Sequence, residues 1–409
     1  MKPFRFYDQP VLAHGRNIVG IDIGKNKHAA VAVSAQGEKI ASLAVFSNDR
    51  EGIDLLEERV LKPVGGPQKA LFALEATGHY WMALYAELTR RVYQGVVLNP
   101  LQTHGEARTR IRKTKTDKRD AEGIARFILT GKAHAARIPD QRTAELRVLV
   151  RQRHRLMQMK GDIERAAQSL TDRVFPEYDR CFSKPFLPTV RALIRAVGLA
   201  PQEIVNQEEQ AREVLTRTGR GRLKAESIDA LIDHARASIG IRQAEGVIDD
   251  QLRARIDLIE DIELQIAELD FELERRMEEI GSPLLSLGIG APLAAALHAE
   301  SDPASDFPSA RQYAAYAGLE PSTFESGQMR GTRTHISKRG SPHLRQALYL
   351  SAFSVYRRHE YFHRIYRRFR KKGHKHNDAL VIVARHLALV VWRMLRDHRE
   401  FFKRPPRKD

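Results

Sequence analysis

Between residues 17 and 100 the apolar positions fall in short runs divided by turn residues, and their period switches repeatedly between two and about three and a half. Residues 18–23, 29–34, 40–46, 70–74 and 95–98 predict strands, and 54–60 and 81–91 predict helices. The first three strands are joined by short turns, as at Gln36-Gly37-Glu38, which implies an antiparallel meander. The β-α-β-α alternation that follows implies parallel strands added to its side. That mixed order is what a ribonuclease-H-like α/β sheet needs.

From residue 146 to 280 the pattern becomes almost wholly helical. Leu252, Ile259, Ile266, Leu273 and Ile280 recur every seven residues, with Ile262 and Leu269 at the complementary position and Arg255 and Arg276 interrupting it. A long helix must pack its seam on a partner, and two partners are open: a second copy in a coiled coil, or the helix over 146–174 in an intramolecular hairpin. Pro176, Pro185, Pro188 and Pro201 break the stretch between them into shorter helices, and Gly219-Arg220-Gly221-Arg222 reads as a basic loop. After Gly281-Ser282-Pro283 a third region begins. Leu287-Gly288-Ile289-Gly290, followed by a small-residue helix, resembles the turn of a helix-hairpin-helix. The pattern divides into an α/β domain over 1–140, a helical region over 141–280 and a mainly helical C-terminal domain over 281–409.

Composition narrows the partners. The 409 residues are 42% apolar, enough for real cores, while 68 Lys+Arg against 51 Asp+Glu give a net charge of +17 and a pI near 10.0. A polyanion is the expected partner, nucleic acid before membrane. No apolar run is long enough to span a bilayer, the N-terminus shows no signal-peptide core, and one cysteine, Cys181, excludes a disulfide framework or a cysteine-rich zinc site. A cytoplasmic protein whose thiol stays reduced is expected.

Against this excess of positive charge four acids stand out. Asp22 sits inside the apolar run Ile18-Val19-Gly20-Ile21-Asp22-Ile23, where a carboxylate is costly to bury unless a cation or donor balances it. Glu75 ends the run Ala70-Leu71-Phe72-Ala73-Leu74. Asp117 and Asp120 are spaced i, i+3 at the start of a helical pattern, so both can face one way. Taken singly, Glu75 has an ordinary turn-capping role and the other two an ordinary role at a helix N-terminus. Together they are the donor set of a metal-dependent phosphodiester site, in which carboxylates hold Mg²⁺ or Mn²⁺. The strand motif around Asp22 also occurs in actin-like and sugar-kinase folds, which keeps an ATPase open.

Cations crowd the approach: Arg108, Arg110, Arg112, Lys113, Lys115, Lys118 and Arg119 suit a loop that grips phosphates. A second cationic run, Arg330, Arg333, His335, Lys338, Arg339, His343 and Arg345, follows Ser326 in a glycine-rich turn. A solvated hydroxyl is the ordinary reading of that serine, yet in such surroundings a serine can attack a phosphodiester. A third, over 357–376, interleaves Arg364, Arg367, Arg368, Arg370, Lys371, Lys372 and Lys375 with Tyr361, Phe362, Tyr366 and Phe369. So many like charges repel unless a polyanion neutralises them.

In this order the motifs resemble the DEDD-type transposases of bacterial insertion sequences, relatives of the pilin-gene invertases described as bridge-RNA-guided recombinases. The likeness lies in Ile21-Asp22-Ile23-Gly24-Lys25, Leu74-Glu75-Ala76-Thr77-Gly78-His79-Tyr80 and Lys115-Thr116-Asp117-Lys118-Arg119-Asp120-Ala121. It continues in Tyr313-Ala314-Ala315-Tyr316-Ala317-Gly318-Leu319 with Glu325-Ser326-Gly327, then Ile336-Ser337-Lys338-Arg339-Gly340 and Leu344-Arg345-Gln346-Ala347-Leu348. The resemblance implies a RuvC-like domain, a coiled-coil connector and a C-terminal transposase domain. It implies that Asp22, Glu75, Asp117 and Asp120 bind the metal, that Ser326 forms a covalent link to cut DNA, and that donor and target DNA are recognised through a guide RNA by a homo-oligomer, dimer or tetramer. The rival readings are a RuvC-like Holliday-junction nuclease using water and a non-catalytic RNA- or DNA-bridging protein. Two departures are visible: the turn at 287–290 lacks a preceding proline, and the insert over 176–245 is longer than in compact members.

Overall fold

The computed structural model describes residues 11, 13–76, 78–98, 103, 116–136, 138–182, 184–221, 223–301, 303–304, 307–321, 325–326, 329–330, 335–338 and 340–401. Strands β1 (Asn17–Ile23), β2 (Lys27–Val33) and β3 (Lys39–Ser47) are followed by helices α1 (Arg50–Leu56) and α2 (Gly66–Lys69), strand β4 (Ala70–Glu75), helix α3 (Trp81–Arg90), strand β5 (Gln94–Leu98) and helix α4 (Asp117–Leu129). The sheet runs β3-β2-β1-β4-β5; β1 pairs antiparallel with β2 and parallel with β4. This is the expected meander with parallel strands added, a mixed α/β domain with β1 at its centre.

Strand alternation divides the sheet between two cores. Val19, Ile21, Phe72 and Leu74 face one way, onto Leu56, Val60, Leu84 and Leu88. Ile18, Val31, Leu71, Ala73 and Val96 face the other way, onto Ala121, Ile124, Ala125 and Ile128 of α4. The helix expected over 54–60 starts earlier, because Asp49 accepts a hydrogen bond from the Gly52 amide at 2.8 Å and caps it, and it continues as a wider π turn over Glu57–Leu61. Arg91 steadies that turn, reaching Asp54 at 2.6 Å, Glu57 at 2.7 Å and Glu87 at 2.8 Å.

The next elements are helical: α5 (Gln141–Val174), α6 (Pro188–Ala196), α7 (Pro201–Asn206), α8 (Glu208–Gly219), α9 (Ala225–Arg236) and α10 (Glu245–Ile280). Of the two partners open to the α10 seam, the structure supplies the intramolecular one. Arg276 bonds Glu145 at 2.7 Å, Arg153 bonds Asp270, and Lys160 meets Glu263 at 2.5 Å, so the numbers fall along α10 as they rise along α5. The two helices form an antiparallel hairpin, with Leu156, Ile262 and Ile266 buried between them. Pro188 and Pro201 open α6 and α7, where a missing N–H is harmless. Helices α6 to α9 share a core with the first turns of α10, including Leu193, Leu215, Leu231, Leu252 and Ile256. The ends of this insert meet, since the Ile241 amide donates to the Arg173 carbonyl at 3.0 Å.

A 3-10 turn over Pro283–Leu287 leads through Gly288 and Gly290 into α11 (Ala291–Ser301). Arg147 donates to the Ala299 carbonyl at 2.7 Å, and Arg151 bonds the buried Glu300 at 2.9 Å, joining α11 to α5. Then come α12 (Ala310–Tyr316), strands β6 (Glu325–Ser326) and β7 (Met329–Arg330), and helices α13 (Pro342–Arg358), α14 (Glu360–Lys371) and α15 (His376–Asp397). By contact density the chain forms two compact units, one of residues 1–140, 302–340 and 388–396, the other of the remainder. Among the described residues no helix is long and apolar enough to cross a membrane.

Candidate active site

Two of the acids are set side by side by the register of the sheet. Ile21 pairs with Leu74 in the parallel ladder, so the next residues, Asp22 and Glu75, stand side by side at the carboxyl ends of β1 and β4. Asp22 lies opposite Ala29 of β2, whose side chain belongs to the core beneath α4. Two residues earlier on the same face, Gly20 lets α4 lie directly on β1: a Cβ at that position would run into the Ala121 carbonyl oxygen. Helix α4 buries Ala121, Ile124, Ala125 and Ile128, and one turn before this stripe come Asp117 and Asp120. Its first turn points along β1 toward Asp22, because its other end, at Leu129, covers Gly37 beyond the far end of β2. The Thr116 hydroxyl accepts from the Arg119 amide and fixes where the helix starts. Both acids then lie at the positive end of the helix dipole.

Asp22, Glu75 and Asp120 are partly buried, and Asp117 is exposed. Glu75 accepts a 2.6 Å hydrogen bond from the Thr103 hydroxyl, a partner that sequence patterning did not single out. Oxygen-only donors of this kind suit a hard divalent cation. Among the described residues, however, no three Asp, Glu, His or Cys side chains are grouped closely enough to hold an ion. The donor chemistry and the shared sheet end fit such a metal; a closed ligand cage is not present.

Ser326 lies on β6, opposite Met329 of β7, with Glu325 opposite Arg330; for Ser326 and Arg330 only the backbone is described. The two arms leading to this hairpin are tied together. The Ser337 amide donates to the Glu320 carbonyl at 2.8 Å, the Lys338 amide donates to the Gly318 carbonyl at 3.1 Å, and Pro321 bridges to Ile336. Contact density places this segment in the same compact unit as the sheet.

Arg110, Arg112, Lys113, Lys115, Arg333 and Arg339 lie outside the described residues. Lys338 is exposed and Arg345 half-buried on α13. Helix α14 buries only Phe362, and Arg364, Arg367, Arg368, Arg370 and Lys371 all lie exposed on it. Its one described ion pair is the long contact between Arg364 and Glu360, 3.9 Å. A helix so charged and so little buried leaves its cations on open surface, where like charges repel.

A model of DEDD-type transposases matches residues 19–176, spanning the sheet, all four acids and α5. A second, described as transposase of the IS116/IS110/IS902 family, matches residues 285–367, spanning Ser326 and running into α14. The chain is 29% identical to the insertion element IS116 44.8 kDa protein of Streptomyces clavuligerus, over 96% of this chain and 98% of that one. It is 28% identical to the IS110 43.6 kDa protein of Streptomyces coelicolor, over 95% and 96%, and 24% identical to the pilin gene-inverting protein of Moraxella bovis, over 95% and 98%. Two family models in the right order and relatives aligned almost end to end make the chain a member of the IS110/IS116 family of insertion-element transposases, related to the pilin gene-inverting proteins.

Proposed function

We propose that the protein cuts and rejoins DNA, with its carboxylates and its serine serving one reaction. The observation that carries this reading is that Asp22 and Glu75 stand side by side at the carboxyl ends of β1 and β4, on the sheet face that α4 covers. The N-terminal domain is read as RuvC-like, and Asp22, Glu75, Asp117 and Asp120 as the residues that would hold Mg²⁺ or Mn²⁺. Such an ion, when bound, supplies positive charge to a phosphate under attack. The Ser326 oxygen attacks phosphorus as its proton leaves, the bond to the departing strand breaks, and that strand end takes up a proton. The phosphoserine ester keeps the bond energy, so the reverse step with another strand end rejoins DNA without ATP. Donor and target DNA bind through the exposed cations, a guide RNA selects the sequences by pairing, and the protein works as a homo-oligomer, a dimer or tetramer.

The test is incubation with the element's own RNA and end-containing DNA plus Mg²⁺, followed by denaturing electrophoresis. A DNA-linked protein band is expected, lost in Ser326→Ala and in Asp22→Asn. Strand cleavage that persists in Ser326→Ala with no linked band means that water attacks, as in a junction nuclease. An Asp22→Asn chain that recombines normally removes the carboxylates from the chemistry and leaves a bridging protein.

A further inference from the structure

The turn between β1 and β2 is held from two sides. The Gly24 amide donates to Nδ1 of His28 at 3.3 Å. From the end of β3, the Asn48 amide donates to the Asn26 carbonyl at 3.1 Å, and its side-chain amide reaches the Lys25 carbonyl at 3.5 Å. Gly24 itself is required, because a Cβ there would meet the Lys27 carbonyl oxygen. At the centre of this fixed turn Lys25 is exposed, and no described acid forms an ion pair with it.

His28 is only 2% exposed and sets its ring edge against Phe46, with centroids 5.2 Å apart. Since Nδ1 accepts from Gly24, the ring proton belongs on Nε2. That atom is buried and, among the described residues, makes no hydrogen bond of ordinary geometry. Burial lowers the imidazole pKa, and the nearby Asn48 side chain offsets this only in part, so the ring is held neutral and Nδ1 stays an acceptor. A leucine would fill the space and remove the orphaned Nε2 donor, but it would leave the Gly24 amide without its acceptor. Packing therefore does not account for a histidine here, whereas holding Gly24 does.

Lys25 follows Asp22 by three residues and stands at the carboxyl end of β1, the end where Glu75 lies on β4. We infer that this turn is a phosphate-contact device: Lys25 meets a backbone phosphate of the bound nucleic acid, and His28 is the positioning residue that holds it there. The inference rests on the proposed function, since it needs a nucleic acid at the carboxylates.

The experiment is binding of a mixed-sequence DNA duplex by the full chain over a series of salt concentrations, with Tm recorded for every variant. Lys25→Gln is expected to weaken binding at each salt and to make the log–log salt slope shallower by about 0.9, the signature of one lost phosphate contact. Lys25→Arg keeps the slope. His28→Leu exchanges the orphaned Nε2 donor for an orphaned Gly24 amide, so Tm shifts little, yet it lowers the slope as Lys25→Gln does. His28→Asn, which retains an acceptor for Gly24, keeps it. The double variant Lys25→Gln/His28→Leu binds no worse than Lys25→Gln alone. An unchanged slope in Lys25→Gln beside a steep one in the unaltered chain overturns the inference and leaves the proposed function standing. So does a His28→Leu loss that is equally large in the Lys25→Gln background. If the unaltered chain binds no nucleic acid at all, the proposed function fails and takes the inference with it.

Discussion

Gly20 decides how near α4 comes to β1, and through that where Asp117 and Asp120 stand. With the Ala121 carbonyl occupying the space of a Cβ, Gly20→Ala must push the helix outward. Overpacking of this kind costs about 1–3 kcal/mol, so Tm is expected to fall moderately while the fold persists. DNA cleavage is expected to fall much further than the loss of stability explains, because the shift separates the first turn of α4 from Asp22. A Gly20→Ala chain with unchanged Tm and cleavage would show that the close approach is unimportant. Asp22 was legible in the sequence because a lone acid in an apolar strand needs a reason, and Glu75 because it closes a second such run. Thr103 was not: it reaches Glu75 from 28 residues away, with no periodicity to mark it.

Among the elements, the α5–α10 hairpin shows what a heptad leaves open. Leu252, Ile259, Ile266 and Leu273 are buried as the repeat required, but the flanking positions divide. Ile262 is buried on one side, and Ile256 and Met277 on the other. Between those last two come Glu263 and Asp270, whose charges are met by Lys160, Arg191 and Arg153. The repeat alone could not choose between a second copy and α5, because the neutralising cations come from distant stretches of chain. Arg191 grips Glu263 with two bonds of 2.6 and 2.9 Å, and with Lys160 it holds the Glu263 pKa at about 2, below the ordinary 4.5. A lowered carboxylate pKa stabilises the fold above the unfolded value and is lost as pH falls through the folded one. Glu263→Gln should therefore lower Tm above about pH 4.5, with the difference from the unaltered chain closing as pH approaches about 2. The carboxylate is 36% exposed, so solvent screening keeps the effect modest. A Tm difference independent of pH over that range would assign the loss to packing instead.

For the molecule as a whole, the excess of +17 has to be reconciled with the proposed selection of DNA sequences through a guide RNA. The cations described in the structure lie mostly on exposed surface, as on α14, and such side chains suit phosphates better than base edges. If a guide RNA does the reading, the protein alone should bind DNA tightly but indiscriminately. With about 6–10 phosphate contacts, affinity should fall roughly 10³- to 10⁵-fold between about 50 and 200 mM salt. Without RNA, duplexes carrying the element's ends and duplexes of scrambled sequence should then give the same affinity and the same slope. Adding the RNA should separate them, and the extra affinity should be less sensitive to salt, because base pairing rather than ion release supplies it. Discrimination of tenfold or more by the protein alone would count against the guide and move sequence reading to side chains on the protein. Replacing Arg367, Arg368 and Lys371 together with Gln should flatten the slope for both duplexes equally, since a phosphate contact carries no sequence information.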